Sequence, residues 1–149
     1  MIVRQAKPED ANRIAELYAQ LVNDPAVEVE QQQILALSND ERTMLYVCEY
    51  NGCVVGSVLL SLCSDVMFRK QPFAVVENVI VDGAARGLGI GAAMFREIES
   101  FCLKTNCSKI MLLSSAQRLD SHMFFEKQGF KGSVKHGFVK YRSAFSSPG

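Results

Sequence analysis

Apolar and polar positions along this chain change period several times, and each change marks an element. Residues 2–5 (Ile-Val-Arg-Gln) read as a short first strand. Pro8 then opens a helix at a position where its missing N–H costs nothing. Ile14, Leu17, Tyr18 and Leu21 follow at i, i+3, i+4 and i+7, a core-facing stripe. Pro25 breaks that pattern, and a polar second helix is predicted over residues 27–37, on the surface or over a cleft. Residues 44–50 and 53–62 are strand-like runs separated by Asn51-Gly52, a dipeptide whose members both tolerate the positive φ of a type I′ hairpin. Residues 73–81 form a third β-rich run. A helix opens at Gly89 or Gly91, with Gly91, Met94, Phe95, Ile98 and Cys102 on its apolar face, and ends near Asn106, a residue that accepts the left-handed conformation. Residues 109–113 read as a buried strand and 118–128 as a helix ending at Gly129. Two last strands are expected around 130–135 and 138–142, and residues 143–149 as a frayed tail. The order β-α-α-β-β-β-α-β-α-β-β predicts one α/β domain over 1–149, built on a mixed sheet with a hairpin-rich half and crossover helices.

Composition narrows the function classes. The 149 residues carry 16 basic and 16 acidic side chains, which excludes a general nucleic-acid binder, since such a protein needs a positive excess to hold phosphates against salt. A 48% hydrophobic and 21% charged content is that of an ordinary globular protein. The five cysteines include no C-x-x-C pair, and the two histidines, His122 and His136, lie far from any closely spaced cysteines. The expectation is buried thiols in a reducing compartment and no metal site. No apolar run approaches the ~18 residues of a membrane span, and the N-terminus lacks the signature of a signal peptide. A soluble, cytoplasmic protein with no membrane partner is expected.

The chemistry concentrates in residues 75–92, where a strand runs through a glycine-rich turn into a helix. Such a turn leaves amides without partners at the positive end of a helix dipole, which suits a phosphate group. Glycines admit close approach of the anion and Arg86 adds a positive charge. Gly87-x-Gly89-x-x-Ala92 also meets the loose dinucleotide fingerprint. A Rossmann site would want a carboxylate about 20 residues on, and the next strand ends Leu113-Ser114-Ser115 instead. A nucleotide-binding oxidoreductase is therefore disfavoured, and a P-loop is excluded because no Gly-Lys-Ser/Thr follows.

Arg86-x-x-Gly89-x-Gly91 after Val79-x-Val81, together with Phe124-Phe125-Glu126-Lys127-Gln128-Gly129-Phe130, resembles the two signature segments of the GNAT N-acetyltransferase family, and the order of elements is similar over nearly the whole chain. The resemblance implies a mostly antiparallel central sheet of about seven strands flanked by about four helices. It implies acetyl-coenzyme A as cosubstrate and an amine of a small molecule or peptide as acceptor. By the same resemblance the backbone of Arg86, Gly87, Leu88, Gly89, Ile90, Gly91 and Ala92 would hold the pyrophosphate. The main chain of Val79, Ile80 and Val81 would pair with the pantetheine arm, and Arg118, His122 and Phe125 would lie by the coenzyme. Three positions depart from the family's pattern: Gly83 replaces a frequent proline, Arg118 a frequent asparagine, and Phe125 the tyrosine proposed to reprotonate the thiolate. The last departure leaves a catalytically silent acetyl-CoA-binding module as the alternative.

An alkylamine attacks a thioester only as the free base, yet near pH 7 it is almost wholly protonated, its pKa being about 10. A base must take that proton within hydrogen-bond reach. Strand alternation predicts Glu77 on the same face as Val79 and Val81, and Glu77 is the candidate base; a structural carboxylate satisfied by its neighbours is the competing reading. The amide of Val79 is the candidate oxyanion donor. With no identifiable base beside Cys63, Cys102 or Cys107, none of them reads as a nucleophile, and His122 reads as a packing or surface residue before a base. Closed twofold symmetry makes a homodimer the expected assembly if the chain associates.

Overall fold

The computed structural model describes residues 1–148; Gly149, the last residue of the expected tail, lies outside the described residues. The chain divides into two compact units, residues 1–112 and 113–149.

The first unit holds one sheet in the order β1-β2-β3-β4-β5. Its strands are β1 (Ile2–Gln5), β2 (Thr43–Tyr50), β3 (Cys53–Cys63), β4 (Phe73–Val81) and β5 (Ile110–Leu112). The first four pair antiparallel and β5 joins β4 in parallel. The β2–β3 hairpin turns on Asn51 (φ 52°) and Gly52 (φ 75°), as the dipeptide predicts.

Each face of the sheet is covered by helices of this unit. Leu45, Val47, Leu59 and Ile80 pack with Ile14 and Leu17 of α1 (Ala11–Leu21) and Ile34 of α2 (Gln31–Ser38). The opposite parity of β3, at Gly56, meets Ile90 and Met94 of α3 (Ile90–Lys104). Phe95, Met94 and Ile98 of α3 are at most 1% exposed, the apolar stripe expected of that helix. Asn106 follows with φ 59°.

Arg4 ties three elements at the start of the chain. Its guanidinium donates to both carboxylate oxygens of Asp10 (2.8 and 3.0 Å) and to Glu49 of β2 (2.8 and 3.1 Å), while the Lys7 amide donates to Asp10 at 2.7 Å. Burial pushes the Asp10 carboxyl up, but the Arg4 and Lys7 bonds outweigh it and hold its pKa below the usual carboxylate range. The pair therefore stabilises the fold above the unfolded-state pKa, and that contribution is lost as pH falls through the native value. Arg4→Met strands a carboxylate that is only 9% exposed. Breaking such a pair costs about 3 kcal/mol. In a chain of this size the Tm falls by roughly 6–12 °C, measured by thermal melts, and the acid limb of the stability curve shallows.

The second unit contains α4 (Leu119–Lys127), closed by Gly129 at φ 94°. The strands expected around 130–135 and 138–142 are not formed, so the sheet has five strands among the described residues rather than about seven. Val134, Phe138, Val139 and Tyr141 are all exposed. Gly132 and Gly137 disfavour extended pairing, and the interspersed Lys131, Lys135, Lys140 and Arg142 give the segment no apolar face to bury. The polar second helix also starts later than expected: residues 27–30 are not helical, and Glu30, with φ −95° and ψ 132°, stands outside the first helical turn.

Candidate active site

Strand β4 is interrupted where the chemistry is expected. Opposite Ser57 and Leu59 of β3, two positions apart, stand Ile80 and Glu77, three apart, so β4 carries an extra residue. Asn78 accommodates it with φ 55°, a left-handed conformation that asparagine tolerates better than most residues. The Tyr18 phenol of α1 has the Asn78 and Ser57 side chains as its polar neighbours, and burial raises its pKa. Ser57 is itself fully buried and donates to Tyr46 O at 3.1 Å.

The bulge overturns the expected alternation. Paired residues of an antiparallel sheet share a face. Glu77, opposite Leu59, and Ile80, opposite Ser57, therefore stand on the face covered by α1 and α2, whereas Val81, opposite Gly56, stands on the α3 face with Val79. Glu77 and the pair Val79/Val81 are on opposite faces, because one inserted residue reverses every side chain beyond it. The Glu77 side chain is exposed and, among the described residues, makes no hydrogen bond or ion pair. The structural reading of this carboxylate has no partner group to support it.

The same strand leaves an open edge. β5 pairs with β4 only at Ala74, Val75 and Val76, so from Glu77 to Val81 that side of β4 carries no strand among the described residues. The Asp82 amide donates to Val55 O of the β3 side at 2.8 Å. Backbone groups alternate along a strand, so the amides of Ile80 and Asp82 turn to β3 and those of Val79 and Val81 turn to the open edge. Ile80, with its side chain in the core, offers neither side chain nor amide to that edge.

Beyond β4 a short 3-10 turn (Gly83–Ala85) leads to the glycine segment. Gly87 and Gly89 adopt φ 79° and 83°, and Gly89 caps α3. The first amide bonded into the helix is that of Ala93, to Gly89 O at 3.0 Å; among the described residues none of the amides from 86 to 92 donates to a carbonyl. Arg86, Gly87, Leu88 and Gly89 are exposed, Ile90 anchors the loop in the core, and Gly91 and Ala92 are half-buried. A row of unbonded amides at the N-terminus of a 15-residue helix, beside a guanidinium, has the donor chemistry of a diphosphate site.

Gly56 holds the helix at this depth. A Cβ there would stand 2.9 Å from Ile90 Cγ2 and 3.1 Å from Met94 Cε. Gly56→Ala thus pushes on the first residue of α3. The expected outcome is a loss of about 1–3 kcal/mol in denaturant unfolding, with weaker binding of any ligand held by residues 86–92.

In the second unit, Arg118 stands at the N-cap of α4 and accepts the His122 amide at 3.1 Å. The His122 Nε2 lies 2.8 Å from Ser115 O, and since a carbonyl only accepts, Nε2 carries the proton. That bond ties the helix to the turn before it. Phe125 is buried, with edge-to-face rings from Phe124 and Phe130 at 5.5 and 6.2 Å. Among the described residues no three His, Cys, Asp or Glu side chains cluster closely enough to hold a metal ion. Tyr18, read from the sequence only as a core position, and the bulge residue Asn78 were not expected at the site, although an asparagine inside an apolar β run was the available signal.

A family model described as the acetyltransferase (GNAT) family matches residues 11–130. The chain is 29% identical over 89 residues to the glucosamine 6-phosphate N-acetyltransferase of Trypanosoma brucei brucei, a match that spans 60% of this chain and 58% of that relative. Among solved structures, an acetyltransferase of Trypanosoma brucei superposes with a TM-score of 0.78 at 25% identity, covering 94% of this chain and 99% of that one. The glucosamine-6-phosphate N-acetyltransferase of Arabidopsis thaliana gives 0.82 at 20% identity, over 95% and 97%, a likeness of fold alone.

Proposed function

Because the chain belongs to the acetyltransferase (GNAT) family, we propose that it moves the acetyl group of acetyl-CoA directly to an amine of a small molecule or peptide. The observation that carries this reading is the open edge of β4 running straight into a loop of unbonded amides. A pantetheine arm, itself a chain of amides, can pair with Val79 and Val81 as an added strand does, while the pyrophosphate takes the amides of residues 86–92. Acetyl-CoA is here a substrate that arrives and leaves.

Glu77 takes the proton of the ammonium, directly or through water, on the α1/α2 face. The freed nitrogen attacks the acetyl carbon across the thin bulge, the Val79 amide steadies the oxyanion, and the C–S bond breaks to release the thiolate while the nitrogen gives up its remaining extra proton to water, leaving a neutral amide. The opposite facing of Glu77 and Val79 suits this division, with base and acceptor on one side of β4 and the oxyanion donor aimed from its edge. The relative named for glucosamine 6-phosphate makes an amino-sugar phosphate the first acceptor to test.

Calorimetric titration with coenzyme A and with NAD, followed by a thiol-release assay over a panel of amines, tests the proposal. Coenzyme A should bind, NAD should not, and at least one amine should release thiol from acetyl-CoA. Binding without release from any amine would favour the silent module; no binding of coenzyme A would sink the reading.

A further inference from the structure

The loop that begins the glycine segment is gripped from α1. Gln20 uses both ends of its side-chain amide: Oε1 accepts the Gly83 amide at 3.0 Å and Nε2 donates to Asp82 Oδ1 at 3.4 Å. Arg13, two turns earlier, makes an ion pair with Asp82 Oδ2 and donates through Nε to Val54 O at 2.7 Å. Asp82 in turn accepts the Ala84 amide at 3.1 Å, capping the 3-10 turn. From Arg86 to Ala92 no such tether exists among the described residues, so the placement of those amides is set by the grip on Asp82–Gly83 at one end and by Ile90 in the core at the other.

We propose that Gln20 and Arg13 are positioning residues for coenzyme binding: α1, on the far face of the sheet from α3, fixes the entry of the anion-binding loop through Asp82 and Gly83. This rests on the coenzyme A reading above. It also assigns Gly83 a definite role. Its N–H is a hydrogen-bond donor that a proline would lack, and a Cβ there would meet Gln20 Oε1 only at an ordinary 3.8 Å. The position is thus not closed to larger residues by space; what it supplies is the donor. Asp82, at φ −49° and ψ 131°, already has the extended conformation a following proline demands, so Gly83→Pro removes the bond while keeping the path of the chain.

The test is a double-mutant cycle on Gln20→Leu and Gly83→Pro, read by calorimetric binding of coenzyme A and by steady-state kinetics with acetyl-CoA. Gln20→Leu should raise the KM for acetyl-CoA and the coenzyme A Kd about five- to tenfold with kcat unchanged, the worth of one to two ordinary hydrogen bonds. The double variant should bind clearly more tightly than the product of the two single losses predicts, because both changes remove the Gln20–Gly83 bond and only the longer Gln20–Asp82 bond is lost in addition. Additive losses, or an unchanged Kd in Gln20→Leu, overturn the proposal. Amide hydrogen exchange separates its failure from failure of the coenzyme reading. Without any ligand, the Gly83 amide should exchange at least tenfold faster in Gln20→Leu than in the wild type. Unchanged exchange overturns the clamp even if coenzyme A binds, whereas accelerated exchange in a protein that never binds coenzyme A faults only the coenzyme reading.

Discussion

Glu77→Gln lowers kcat for acetyl transfer by about 10²–10⁴-fold, the usual worth of a positioned general base, while coenzyme A binds the variant as tightly as the wild type. The carboxylate stands exposed on the α1/α2 face with no side-chain partner among the described residues, so its loss breaks nothing in the fold. Glutamine keeps the shape and removes only the proton acceptor. The effect has a pH signature. An alkylamine of pKa about 10 presents more free base as pH rises, so the ratio of wild-type to variant rates should shrink between pH 7 and pH 10. A ratio flat across that range, or unchanged turnover at pH 7, would take Glu77 out of the mechanism.

Departure of the sulfur asks less of the protein. A thiol of pKa near 8.5 leaves readily as the thiolate. Phe125, buried between two other phenylalanine rings, cannot return a proton, and a mechanism limited by proton removal from the amine does not require it to do so.

The parts of this fold written in short-range pattern were legible in the sequence. The Asn51-Gly52 hairpin, the stripe Ile14-Leu17-Leu21 and the run of β4 up to Val81 all declare themselves through neighbours a few residues apart. So did the glycine segment, because positive φ at Gly87 and Gly89 is a local demand. What failed depended on distant partners. The bulge at Asn78 is a matter of register against β3, and without it strand alternation put Glu77 on the wrong face. The last two expected strands had no buried face to reward extension. The clamp joins residues 63 positions apart, Gln20 and Gly83, a pairing no window of sequence can show.

The glycine segment offers the second decisive substitution, Gly89→Val. At φ 83° an ordinary side chain costs about 1–2 kcal/mol, and a β-branched one more, because its Cγ atoms crowd the adjacent carbonyl. The chain escapes by rotating Gly89 to negative φ. That rotation turns the amides at 89 and 90 away from the ligand and disturbs the bond from Ala93 to Gly89 O, the first of the helix. Two amide bonds to a charged phosphate are worth about 3 kcal/mol or more, so the Kd for coenzyme A should rise at least ~100-fold. General loss of stability is controlled by Gly52→Val. Gly52 sits at φ 75°, with open space around it and nothing within 4 Å of a Cβ, in the hairpin between β2 and β3. It carries the same backbone strain far along the chain from the loop. Both variants should melt earlier than the wild type, but only Gly89→Val should lose the coenzyme. If the two bind coenzyme A equally well, the amides of residues 86–92 do not hold its phosphates.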